Sequence, residues 1–524
     1  MYQILSAATI RKIDEEALAN SNLKYMQEAV MALVNLLEFL ELSSEHKILI
    51  VSGQGNNGGD GILLQAELMK LGHEHTRLCL LTEADKLTGS AKLAYNKLTD
   101  WFQEPKQAEL KFEDYVQGMD KLQSLLLTYK PDYIVDAMLG IGFAGESLRD
   151  PYLSAVNLIE DYQELKPEAK ILAVDIPTGV HADSGLASRY IKADYTLSIG
   201  FNKLCAFQPH SKKAMGEIYT CDLSYPPNIT AKYAERFYVV DPLDIKNLIP
   251  ARSILGNKYT HGVAAIVAGT QDMPGAAIMA CEASLKTGLG MLYSFSSPET
   301  KWHLDNLCFE GIHQAEHYNN FVVKMINKKV GAVGCGPAIG LNEAAKDYIV
   351  RLLIETRTNL VLDADALVHL KKHLNMLAEY PGRIMLTPHA GEFKKLFGED
   401  LETYHLMNKV NKVLETAQQY QVNILYKGPM TIITDYEQAK VYLCPVYDST
   451  LARAGSGDIL TGLITGLAAQ GLSLIDASLL AVNLQAQAAN FAQTEFSQHA
   501  MSARDILAHL PAAYREFINF SDNL

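Results

Sequence analysis

The chain lacks closely spaced cysteine pairs, long apolar runs and any excess of positive charge, and each absence removes a class of protein. Its seven cysteines stand at 79, 205, 221, 281, 308, 335 and 444, with no C-x-x-C pair among them. Neither a disulfide framework nor a zinc site is built that way, and a reducing cytoplasm suits such usage. No uninterrupted apolar run reaches the roughly 18 residues that a membrane span requires. The first residues, MYQILSAATIRKIDEEAL, have no basic segment followed by an apolar run, so no signal peptide is expected. Lys and Arg number 46 against 60 Asp and Glu, a formal charge of −14. That balance argues against nucleic acid or an anionic membrane as partner. No low-complexity tract stands out. What remains is a chain of 524 residues, 48% apolar and 20% charged, with enough apolar sequence for large cores in about two or three domains.

Short apolar runs alternate with helical patterns. Strand-like runs lie at 47–53, 133–139, 171–177, 195–200, 263–269, 330–336, 359–367, 383–388 and 422–428, and helical spacing is clear at 61–72, 275–288 and 473–492. Strands separated by helices predict an α/β protein with parallel sheets covered on both faces. Ligands of such folds bind at the carboxyl ends of strands. The turn-rich SYPPNIT at 224–230, with Pro242 and Pro250 after it, marks a boundary between two domains, 1–228 and 229–524.

The most informative segment is RAGSGDILTG at 453–462. Gly455, Ser456 and Gly457 lead into Asp458 at the expected start of a helix. Small residues admit a phosphate, and free N–H groups with the helix dipole favour an anion. An Asp there suits a base, or a hydroxyl holder, beside a phosphate. Other strand ends carry AGTQDMPGAAIMA (268–280), CGPAIG (335–340), LTPHAGEFKKLFG (386–398) with His389 and Glu392, and YKGPMTIIT (426–434), which reads as a short hairpin with Lys427 and Thr431. VLDADAL (361–367) reads as a strand edge with Asp363 and Asp365 capping a helix.

In the first half, GQGNNGGDG (53–61) follows a strand and opens a helix. Its glycines have the logic of a phosphate cradle, although no Walker Lys follows. DAMLGIGFAGE (136–146) and AVDIPTG (173–179) are two more loops of this kind. Asn57, Asp136 and Thr178 are candidate oxygen ligands for a hard or monovalent cation.

GNNGGDG, DAMLGIG, AVDIPTGVHADSG and ADYTLSIGFNK (193–203) resemble the NAD(P)H-hydrate epimerase domain, the YjeF N-terminal family, over roughly residues 1–225. That resemblance implies a Rossmann-like three-layer α/β/α domain. It places Asn56, Asn57, Gly58, Gly59, Asp60, Gly140, Ile141, Gly142, Phe143, Ala144, Gly145, Glu146 and Asp175 on the substrate, and a potassium ion on Asn57, Asp136 and Thr178. Asp175 is the acid–base candidate. Val30 stands where the family usually has Gly. Over roughly 235–510, MPGAA, LTPHAGEF and GSGDILTGLITGLAAQG resemble the ribokinase-like superfamily, and within it the ADP- or ATP-dependent NAD(P)H-hydrate dehydratase family. That resemblance places Ala277, Ala338, His389 and Asp458 on the hydrate, and Lys427, Gly428, Pro429, Met430, Thr431 and Gly457 on the adenine nucleotide, with magnesium on its phosphates. Tyr259, Ala338, Arg453 and Ala454 depart from the family pattern, and Ala338 is expected to be denied a relaxed positive φ.

The two resemblances together imply a bifunctional repair enzyme for NADH and NADPH hydrates. One domain interconverts the epimers, and the other consumes the S form with ADP, which the resemblance favours over ATP. A cytoplasmic homo-oligomer is expected, although the apolar helix 473–492 fits a partner face and a buried core equally. RAGSGD alone also admits a vitamin- or sugar-type kinase with a regulatory N-terminal domain. A non-catalytic nucleotide sensor is a third reading.

Overall fold

The computed structural model describes residues 2–519 apart from 19–22, 108–109, 144, 146, 186–187, 234–235, 241, 316–329 and 447–448. The chain forms two compact units, one of residues 3–235 and the other of residues 236–524 together with the first two residues. The division lies beyond the expected 228/229 because the turn-rich boundary segment is tied into the first unit. A short helix at Pro227–Lys232 follows SYPP, Lys232 pairs with Glu16 at 2.7 Å, and the Tyr233 hydroxyl donates to the same carboxylate.

The first unit is built on a 7-stranded sheet. Its strands are β1 (Ile48–Ser52), β2 (Thr76–Leu80), β3 (Val116–Gly118), β4 (Tyr133–Ala137), β5 (Lys170–Val174), β6 (Tyr195–Ile199) and β7 (Glu217–Cys221). They lie in the order β3-β2-β1-β4-β5-β6-β7, and every pairing is parallel. Strand side chains alternate between faces. Ile48 and Ile50 enter one core with α2 (Lys24–Phe39), α3 (Asn56–Lys70) and α4 (Gly89–Phe102); Leu49 and Val51 enter the other with α5 (Tyr152–Leu165). Both faces are covered, so β1 reads as an unbroken apolar run. Val30 is fully buried in the first of these cores. A further helix, α1 (Ala7–Leu18), precedes them. The strand order reverses between β1 and β4, which opens a crevice at their carboxyl ends.

The second unit adds β8 (Phe237–Val239), β9 (Val263–Val267), β10 (Met291–Phe295), β11 (Ile312–Gln314), β12 (Ala332–Cys335), β13 (Asn359–Leu362), β14 (Ile384–Leu386), β15 (Asn423–Tyr426), β16 (Met430–Asp435) and β17 (Lys440–Pro445). Their order is β8-β17-β16-β15-β14-β13-β12-β9-β10-β11. The stretch from β15 to β11 is parallel, while β15-β16 and β16-β17 are antiparallel. The order reverses between β12 and β9. Helices α6 (Pro274–Lys286), α7 (Pro298–Leu307), α8 (Glu343–Glu355), α9 (Asp365–Leu370), α10 (Ala390–Phe397), α11 (Leu406–Tyr420), α12 (Ser456–Ala469), α13 (Leu474–Ala500) and α14 (Ala503–Asn519) complete the unit. α13 contributes Leu480, Leu484, Ala488 and Ala492 to the core shared by α6, α12 and α14, so the apolar segment 473–492 is a core helix. Among the described residues no helix is long and apolar enough to cross a membrane.

Candidate active sites

At the β1/β4 crevice a cavity of about 480 Å³ is lined by Asn56, Asn57, Asp60, Gly140, Ile141, Gly142 and Asp175 among others. The three glycine-rich strand ends therefore converge. They do so for partly different reasons from those read in the sequence. GNNGGDG is helix rather than loop: α3 starts at Asn56, with Gly55 as its N-cap. Glycine is a poor helix former, and here close packing demands it. A Cβ at Gly58 would lie 1.9 Å from the Gly53 carbonyl oxygen. Gly58 and Gly59 are buried and absent from the cavity wall. Phe143 and Gly145 also stand off it, and Ala144 and Glu146 lie outside the described residues.

Asp175 ends β5 with a positive φ of 71° and faces Gly140. Its Oδ1 accepts from the Lys203 ammonium and, at 3.3 Å, from the Ile199 N–H. Lys203 is 1% exposed and also donates to the Ile199 carbonyl at 2.6 Å. Asp60 is buried in the same wall; burial, then the charges of Asp175 and Asp14, push its proton affinity well above the carboxylate range. Asp14 of α1 accepts from the Tyr225 hydroxyl at 2.5 Å, and that ring packs between Tyr25 and Phe201. The sequence reading missed Lys203, Asp14, Tyr25 and Tyr225. Lys203 had a signal, as the last residue of ADYTLSIGFNK, and so had Tyr25, which opens the off-pattern YMQEAV that ends at Val30; Asp14 and Tyr225 come from a helix and a boundary loop without a motif.

Behind this wall, Asp136 is fully buried. Its Oδ1 accepts from the Thr178 hydroxyl at 2.7 Å and its Oδ2 from the Thr178 N–H at 2.7 Å. Burial outweighs these bonds and pushes its pKa up to about 6. Both polar atoms of the Asn57 amide are buried with no hydrogen-bond partner among the described residues.

In the second unit, α12 starts at Ser456 and Gly455 caps it at φ 91°. This left-handed turn leads into the first turn of α12, whose N–H groups have no intrahelical partners, although that of Ser456 donates to the Arg453 carbonyl at 3.2 Å. Asp458 lies in the first turn; burial, then the neighbouring Asp363, push its pKa up to about 6 against the opposing pull of Lys427. Lys427 sits in the turn between β15 and β16, which form the expected hairpin. Its ammonium lies 2.7 Å from Asp363 Oδ1 and 3.7 Å from Glu392 Oε2. Burial opposes its charge, but the carboxylates of Asp363 and Glu392 prevail and hold its pKa up. A Cβ at Gly457 would come 3.5 Å from that ammonium. The rest of the turn is closed by Thr431 Oγ1 on the Gly428 carbonyl at 3.1 Å, and by the Val446 N–H on the Pro429 carbonyl at 2.9 Å; Met430 is buried. His389 is exposed and caps α10: its Nδ1 accepts from the N–H groups of Gly391 and Glu392, while Glu392 returns a bond to the His389 N–H at 2.9 Å. The neutral ring therefore carries its proton on Nε2. Ala277 is buried in α6 against Gly269.

Ala338 does adopt a positive φ, 52°, despite its Cβ. The Gly340 peptide after it is held on both sides: Asp365 accepts its N–H at 2.9 Å, and His369 Nε2 binds its carbonyl at 2.9 Å. Asp363 is no mere cap, because its side chain reaches Lys427 and the Thr461 hydroxyl, the latter at 2.9 Å. Arg453, off-pattern in sequence, anchors the lead-in loop on the carbonyls of Thr450 and Gln498. Tyr259 lies in an exposed loop.

The family described as YjeF-related protein N-terminus matches residues 22–205, and the family described as NAD(P)H-hydrate dehydratase matches residues 264–512. A bifunctional NAD(P)H-hydrate repair enzyme of Moorella thermoacetica is 28% identical over 98% of this chain and 97% of its own. The chain belongs to the bifunctional NAD(P)H-hydrate repair family. Its member from Coxiella burnetii is 29% identical over 88% of this chain and 89% of its own. The solved structure of an ADP/ATP-dependent NAD(P)H-hydrate dehydratase from Bacillus subtilis, co-crystallised with ATP and magnesium, is 26% identical; it covers 53% of this chain and 98% of its own, with a TM-score of 0.46. The N-terminal family match begins after α1 and ends before Tyr225, so two sides of the first cavity come from segments outside it.

Proposed function

We propose that the first unit epimerises the hydrates of NADH and NADPH, and that the second dehydrates the S epimer with ADP as phosphoryl donor. In the hydrate, the ring nitrogen expels the adjacent hydroxyl, and water returns to either face of the ring. Epimerisation therefore needs a held ring and a group that gives and takes a proton. Asp175 fills that role, oriented by Lys203 and the Ile199 N–H. The first turns of α3, at Asn56, Asn57 and Asp60, and the loop at Gly140, Ile141 and Gly142 hold the dinucleotide.

Potassium fits the residues behind the cavity: an Asn57 amide without a partner, the buried carboxylate of Asp136 and the hydroxyl of Thr178. When bound, the ion neutralises a buried carboxylate and stiffens the crevice. Magnesium would be carried on the nucleotide phosphates, where it would neutralise their charge.

Dehydration is harder, because hydroxide is a poor leaving group. Asp458 accepts the proton of the hydrate hydroxyl, and the oxygen takes the terminal phosphoryl group of ADP. AMP departs, the ring nitrogen expels inorganic phosphate to give an iminium, and loss of a proton from the neighbouring ring carbon restores NADH or NADPH. The N–H groups at Gly455–Gly457 and the Lys427 ammonium stabilise charge on the moving phosphoryl group. The observation that carries this reading is a carboxylate, Asp458, in the first turn of a glycine-capped helix, beside the Lys427 of a nucleotide-type hairpin. The test mixes the protein with both hydrate epimers and ADP, or ATP in its place, and follows NADH absorbance. Full recovery is expected. No recovery with either nucleotide, or release of a stable phosphorylated product, overturns the reading and favours a simple kinase.

A further inference from the structure

VLDADAL is a motif that the proposed chemistry leaves unused, yet it touches the CGPAIG loop, the Lys427 turn and α12. Asp363 is 2% exposed at the end of β13. Its main chain is pressed against the CGPAIG loop: its N–H donates to the Cys335 carbonyl at 3.1 Å, and a Cβ at Gly336 would come within 1.8 Å of its carbonyl oxygen. Its side chain uses both oxygens, Oδ1 for Lys427 at 2.7 Å and Oδ2 for the Thr461 hydroxyl at 2.9 Å. Thr461 follows Asp458 by three residues on α12 and so shares its face of the helix. The next residue, Ala364, is held at φ 47° and ψ −120°, a conformation that strains a residue with a Cβ and persists only where its surroundings over-determine it. That twist lets Asp363 serve the hairpin and α12 while Asp365 serves the Gly340 peptide.

We infer that Asp363 is the positioning residue of the dehydration site, fixing the Lys427 ammonium and the Asp458 helix turn relative to each other through its two carboxylate oxygens. The inference rests on the dehydratase reading above. Neither contact needs to touch substrate. A lysine on a four-carbon stem has many rotamers, and a phosphoryl transfer depends on where its charge stands. Asp363 removes that freedom from one side, and Glu392 at 3.7 Å bounds it from another. The charged groups facing Asp458 are Asp363 and Lys427, so neutralising Asp363 leaves Asp458 under the lysine's field alone.

The test is Asp363→Asn in the full-length protein. The amide keeps an acceptor for Thr461 and loses the charge against Lys427. The expected result is a fall of about tenfold or more in kcat for dehydration. The acidic limb of its pH profile moves down by about half a pH unit or more, while epimer exchange by the same protein is unchanged. A kcat within about twofold of the parent overturns the inference, and so does a loss with the acidic limb in place, since a merely structural role lowers the rate equally at every pH. Should Asp363→Asn not fold, Thr461→Val cuts only the α12 tether: kcat falls about threefold or more with the limb unmoved, and an unchanged kcat is fatal to the idea. A parent protein without any dehydration activity marks failure of the dehydratase reading instead.

Discussion

Asp175 follows β5 and Asp458 opens α12, and the two carboxylates proposed to move protons have different surroundings. Asp458 has its pKa lifted to about 6, first by burial and then by Asp363. It must be ionised to accept a proton, so dehydration is expected to decline as the pH falls through about 6, measured as kcat with saturating nucleotide. The same lift makes Asp458 costly to the fold. A carboxyl that holds its proton more tightly folded than unfolded favours the folded state at low pH, and that advantage is lost as pH rises between 3.8 and about 6. Asp458→Asn therefore abolishes dehydration, by a factor on the order of 10³, yet raises the melting temperature at pH 8. The gain is at most about 3 kcal/mol and vanishes near pH 4. Epimer exchange continues in that variant. Asp175→Asn is expected to do the reverse, stopping epimer exchange while dehydration of the S form proceeds. A folded variant of either kind that loses both activities contradicts the division of labour. Ala338 is a smaller case. With φ at 52°, it sits where glycine is unstrained, so Ala338→Gly is expected to be neutral or to stabilise by about 1 kcal/mol, read as a shift of the urea midpoint.

At the scale of elements, the buried parallel strands were legible because coverage on both faces writes them as unbroken apolar runs. Every run singled out in the sequence forms a strand. Some strands that escaped notice are short or partly exposed, as β3 at Val116–Gly118 and the edge strand β7 at Glu217–Cys221, but β2 at Thr76–Leu80 and β10 at Met291–Phe295 escaped although largely buried inside their sheets. In β3 and β7, partial burial leaves no such run. Motifs pointed to candidate residues that the structure does bring to strand ends and helix starts, as at Gly140, Lys427 and Asp458. They failed where the decisive contact joins residues far apart in the chain, as Lys203 with Asp175 or Asp363 with Lys427 and Thr461. GNNGGDG shows a third outcome: the right place for a different reason. Its glycines let α3 lie against the β1 exit, so Gly58→Ala is expected to drive a Cβ into the Gly53 carbonyl and to cost about 2 kcal/mol or more. A thermal melt reads that loss directly.

For the whole molecule, two sites in one chain act on one mixed substrate. An Asp175→Asn protein given both epimers and ADP is expected to restore only the S fraction quickly, as a burst of NADH absorbance followed by a plateau or slow drift. Adding the Asp458→Asn protein to it restores the remainder, because the epimers diffuse between active sites. A plateau that survives the addition means that the epimers do not pass freely through solution.

All seven cysteines are free and buried, and burial pushes the thiols of Cys79 and Cys205 up to about 12. Thiolate is the form that oxidants and alkylating agents attack. A chain that restores oxidisable cofactors thus presents almost no oxidisable sulfur of its own from cysteine while folded. Its alkylation under native conditions follows the opening of its cores, so a thiol reagent acts on it as a clock for unfolding.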